Sequence, residues 1–61
     1  MMDNENQRAL EWLYKNLKKK RIALDNAEQK PNRSEREIED IRSAIEIIEY
    51  IIGVVLKDGG N

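Results

Sequence analysis

The sequence predicts an all-α protein, an antiparallel helical hairpin (helix-turn-helix) that assembles into an oligomeric helical bundle. Three observations carry this reading. Ile38, Ile41, Ile45, Ile48, Ile52 and Val55 recur at alternating steps of three and four, the a/d seam of a helix that packs against another. Leu10, Leu13, Leu17, Leu24 and Ala27 keep the same rhythm in the first half, so the chain carries a partner for that seam. Between the two runs stands the only proline, Pro31, which cannot donate to a continuing helix and disfavours helical geometry at Lys30.

The 61 residues leave room for one domain, and a chain this short buries too small a fraction of its surface to be comfortably stable alone. With no Cys and no His, neither a disulfide nor a structural zinc is available. Oligomerisation is the remaining remedy. The chain is 38% charged and 39% apolar with no Phe, a balance that suits long helices rather than a sheet.

The first helix is expected over 4–29. Asp3, Asn4 and Asn6 are all suitable N-caps, and Asn4 with Gln7 has capping-box spacing. Its leucine stripe has one break, where the missing d site falls on Lys20 with Arg21 beside it. Ala9, Asn16, Ala23 and Ala27 lie on the flank of the stripe, where small residues let another helix come close. Trp12 and Ile22 point away from the leucines.

A turn over 30–33 is short enough to force the helices to be antiparallel neighbours. The second helix is expected over 34–57. Ser34 and Glu37 form a capping box in which each side chain meets the other's amide, and Glu35, Glu37 and Glu39 suit the positive helix end. Ala44, Ile47, Ile51 and Val54 add a second apolar stripe beside the seam. One partner helix covers one stripe, so the second stripe and Leu56 are left for another subunit. Gly53 costs about 1 kcal/mol relative to Ala inside a helix, and either permits close approach or marks local weakening. Lys57 suits the negative end, and Gly59 and Gly60 end the helix, leaving 58–61 as a flexible tail of a single domain over 1–61.

Function is bounded mainly by exclusion. The polar, acidic N-terminus has no apolar signal region, and the longest apolar block, 47–56, contains Glu49 and falls well short of the ~20 residues a spanning helix needs. A cytoplasmic protein is expected, with no membrane contact. No His, no Cys and no Gly-rich phosphate turn speak against an enzyme. Carboxylates are plentiful but lie mainly off the seam, so no catalytic pair, metal site or cofactor is expected. The net charge of −1 argues against a generic nucleic-acid binder.

What remains is binding. Trp12, Lys15, Lys19 and Ile22, at steps of three, four and three, share an outward strip that offers an aromatic anchor among lysines to an acidic partner or an RNA backbone. The competing reading of Trp12 is burial in the oligomer. For the run Lys18, Lys19, Lys20 and Arg21, with Lys15, the simplest reading is a solvated face complementing the acidic second helix. Lys20 and Arg21 are expected to snorkel and pair with Glu46 or Glu49; alternatively, with Arg42, they form an anion site between subunits for a nucleotide-like ligand.

The favoured function is a non-enzymatic interaction protein, a homo-oligomer with a dimer as the default, acting as a small adaptor or inhibitor of the kind phages and mobile elements encode. In size and plan the hairpin resembles the plasmid copy-number regulators that form dimeric four-helix bundles and bind RNA hairpins. No motif is shared, so that resemblance implies only an RNA-binding alternative.

Overall fold

The computed structural model describes residues 4–59 and consists of two long helices packed antiparallel, α1 (Asn4–Gln29) and α2 (Glu35–Gly59). The hairpin is a rod of 47 × 14 × 11 Å. Its radius of gyration is 14.2 Å, against about 10.5 Å for a compact chain of this length.

The apolar seams meet as their spacing requires. Leu10, Leu13, Leu17 and Ile52 form a buried cluster, with Ile45, Ile48 and Val55 packed against it. Each fully buried side chain of this kind contributes roughly 1.5–3 kcal/mol. Ala27 and Ile38 are buried nearer the turn. Between the cluster and the turn the packing thins, because Lys20 occupies the place of a leucine and is only half-buried, as is Leu24. Ile41, Ile45, Ile48 and Val55 are likewise only half-covered by the single facing helix.

Pro31 stands in the turn and Ser34 caps α2. The Glu37 amide donates to Ser34 Oγ at 3.3 Å, and the Ile38 amide donates to the Ser34 carbonyl at 3.1 Å. The reciprocal half of the expected capping box is replaced. Glu37 turns its carboxylate to Lys30 Nζ at 3.8 Å, a charged partner across the turn, rather than back to the Ser34 amide. Arg33 Nε meets Glu35 Oε1 at 3.2 Å beside it.

At the far end α2 runs through Gly59, two residues beyond the expected stop at 57, so Asp58 is helical rather than part of a loose tail. No glycine among the described residues has a positive φ, so the left-handed cap that a terminal glycine can supply is not formed at Gly53 or Gly59. The expected caps at Asp3 and Gly60 lie outside the described residues. Among those described, no helix is long and apolar enough to cross a membrane.

Candidate interaction surfaces

Seven-residue spacing sorts the side chains beside the core onto two flanks. Residues seven apart on a helix differ by only about 20° around its axis, so each set forms a line. Tyr14, Arg21 and Glu28 run along the first flank of α1, and Arg42, Glu49 and Leu56 along that of α2. Their rungs are ionic. Arg42 Nη2 donates to Glu28 Oε2 at 3.1 Å and Arg21 Nη2 donates to Glu49 Oε2 at 3.0 Å. Tyr14 stands level with Leu56 on the next rung.

The second flank has a different chemistry. Ala9, Asn16, Ala23 and Lys30 form the α1 line, and Glu37, Ala44 and Ile51 the α2 line. Lys30–Glu37 is its charged rung, next to the turn. Beyond it Ala23 lies beside Ala44 and Ile47, and Asn16 beside Ile51 and Val54. Ile47 and Val54 widen this apolar face outward, and Ile47, Ile51 and Val54 are all exposed while Ala44 is half-buried. Leu56, expected to join the stripe, is also exposed, but it lies roughly 140° from Ile51 around the helix and so belongs to the charged flank.

The chain matches no protein-family model, and no curated protein or solved structure matches it.

Of the outward strip, Trp12 is 63% exposed, and Lys15, Lys19 and Ile22 are exposed too. The strip is an arc whose ends turn apart. Trp12 borders the second flank, where Asn16 Nδ2 donates to the Trp12 carbonyl at 2.8 Å. Ile22 instead joins Tyr14, Leu17, Lys18, Arg21 and Asp25 in lining an open groove of about 480 Å³ on the first flank. That groove is not signalled by any motif; it arises because Tyr14 and Ile22 stand as walls eight residues apart with shorter or extended side chains between them. Tyr50, 74% exposed, is another apolar group that lies off both apolar stripes.

Within one hairpin, Lys20, Arg21 and Arg42, the three residues considered for an anion site between subunits, are not brought together. Arg21 and Arg42 are each held by a carboxylate. They stand two turns apart, about 10 Å along α2. Lys20 sits toward the other flank and has no ion pair among the described residues. Nor do those residues include a group of three or more His, Cys, Asp or Glu able to hold a metal ion.

Charge pairing distinguishes the cations of the seam and turn from the lysines on the outer side of α1. Arg21, Lys30, Arg33 and Arg42 are paired across or beside the turn and seam. Lys15, Lys18 and Lys19, on the outer side of α1, have no ion pair among the described residues.

Proposed function

We propose that this protein is a non-enzymatic interaction module, a self-associating helical hairpin that acts by binding another macromolecule. The observation that carries the proposal is the exposure of Ile47, Ile51 and Val54 in one row on α2. Leaving such a row in water forgoes about half of the roughly 1.5–3 kcal/mol that full burial of a large side chain contributes, and contiguous apolar surface of this kind marks sites of protein contact.

Self-association through α2 leaves the outer side of α1 for the other molecule. There Lys15 and Lys19, with Ile22 beside them, present unpaired positive charge on an apolar support, and Trp12 stands at the edge of the same strip. The fitting partner is an acidic protein surface, consistent with a small adaptor or inhibitor. Long-range attraction of this kind speeds encounter and weakens with salt.

The test compares affinity purification of the wild type with a Lys15→Glu/Lys19→Glu variant, with and without nuclease. A protein partner retained by the wild type after nuclease and lost by the variant supports the reading. Partners lost on nuclease treatment favour the RNA-binding alternative. Equal retention by both variants contradicts the lysine strip.

A further inference from the structure

From the two flanks we infer that the occupant of the apolar flank is a second copy of this chain, related by a two-fold axis parallel to the helices, so that α1 of each copy packs on α2 of the other. This rests on the self-association proposed above and adds the face, the arrangement and the place of Trp12.

Surface area sets the scale. The chain exposes 5108 Å², whereas a compact monomer of its mass exposes about 4,100 Å². Covering the excess of about 1,000 Å² on each copy buries about 2,000 Å² in total, the size of a stable dimer interface. A rod of 47 × 14 × 11 Å has that much to cover only along its length.

The choice of flank follows from charge. On the first flank Glu28–Arg42 and Arg21–Glu49 close rungs of the ladder with solvated ion pairs. A second hairpin laid there would strip water from four charges, which costs more than those pairs return. On the other flank, beyond Lys30–Glu37, the lines are Ala23 and Asn16 beside Ala44 and Ile51.

The arrangement follows from size. The cross-helix pairs place residue 21 level with 49 and residue 28 level with 42. Ala23 is accordingly level with Ile47, and Asn16 with Val54. An axis parallel to the helices keeps these heights, so the small α1 residues of one copy meet the bulky α2 residues of the other. An axis across the helices instead sets α2 on α2 and α1 on α1, bulky against bulky and small against small, which leaves an uneven gap. Alternating large and small residues across a contact is what fills space without voids. All neighbouring helices are then antiparallel, as in a four-helix bundle.

Trp12 completes the contact. It borders the second flank about one turn beyond the height of Val54, so the indole of one copy closes the end of the contact next to Val54 of the other. A large aromatic in such a place is the usual energetic anchor of an interface. Between Asn16 and Ala23, Lys20 lies on the core side of this flank and Lys19 on its outer side, in line with Trp12; a four-carbon stem is long enough to carry either ammonium to the edge of the bundle.

The chain has no cysteine, which makes single cysteine variants clean probes. Ala23→Cys and Ile47→Cys are purified separately, checked for unchanged helicity, mixed, allowed to exchange and oxidised mildly. A disulfide-linked dimer formed in the mixture and in neither variant alone is expected, since only facing positions bring Cβ atoms within bonding range. Crosslinking of either variant with itself, or a dimer by sedimentation that yields no mixed crosslink, overturns the arrangement while leaving self-association intact. A wild-type monomer of 7.2 kDa in the parallel sedimentation run overturns both.

Discussion

The Arg21 guanidinium donates to Glu49 Oε2 at 3.0 Å, and this contact sets the register of the whole hairpin: Glu28 lies level with Arg42 two turns toward the turn, and Tyr14 level with Leu56 two turns away from it. Both side chains remain more than half as exposed as open ones or close to it, at 61% and 50%. A double-mutant cycle on Arg21→Ala and Glu49→Ala should therefore give a coupling under about 1 kcal/mol that shrinks with added salt. A salt-insensitive coupling of several kcal/mol would show that the pair is buried in the assembled protein and that the charged flank has been misread as free.

Lys20→Leu should raise the melting temperature and tighten association. The substitution completes the leucine stripe at a half-buried position where the lysine has no ion pair among the described residues, and filling it is expected to stabilise by about 1–2 kcal/mol. Thermal unfolding followed by circular dichroism reads this directly. A fall in stability would mean that the ammonium holds something the hairpin alone does not present.

At the turn, Ser34→Ala removes the hydroxyl that accepts from the Glu37 amide. A loss of about 1 kcal/mol is expected, with no change in oligomer mass because the cap lies away from both flanks' apolar rungs. Since Glu37 is engaged with Lys30 and not with the Ser34 amide, Glu37→Gln should cost much less than the cap itself. Chemical denaturation of the two variants side by side checks the order; the reverse order contradicts it.

Gly53 offers a simple gain. A Cβ placed there meets nothing within 4 Å, and its φ is not positive, so Gly53→Ala should stabilise by about 1 kcal/mol through reduced freedom of the unfolded chain. Gly53 also lies between Glu49 and Leu56 on the charged side of α2, away from the inferred contact. A loss of association in this variant, measured by sedimentation, would place a helix close against that side instead.

Much of this architecture is legible in the sequence because heptad spacing is both the signal and the structure. Ile38 to Val55 and Leu10 to Ala27 pack along the seams their steps of three and four describe, and Arg21 finds Glu49 because both stand just off those seams. What spacing leaves open is the choice between neighbours of similar reach. Capping-box spacing offers Glu37 the Ser34 amide, but its carboxylate meets Lys30, which carries a full charge where an amide carries only a partial one. Leu56 follows Ile51 and Val54 closely in the chain, yet five residues turn a helix to its other flank. Ile22 shares a strip with Trp12 by spacing, yet ten residues turn it about 80° around the helix, to the edge of the groove on the first flank. The ordinal reading of a strip loses the direction in which its ends face.

Sedimentation equilibrium at micromolar concentration, run on the wild type with Ile51→Asp and Ile48→Asp, tests the central claim most directly. Ile48 packs against the buried cluster, whereas Ile51 lies exposed on the apolar flank. The wild type should sediment at about twice its 7.2 kDa. Ile51→Asp should lose association before helicity, and Ile48→Asp should lose both together, since an uncompensated buried carboxylate costs several kcal/mol. A well-folded wild-type monomer of 7.2 kDa, or an Ile51→Asp variant that associates as the wild type does, would contradict the account.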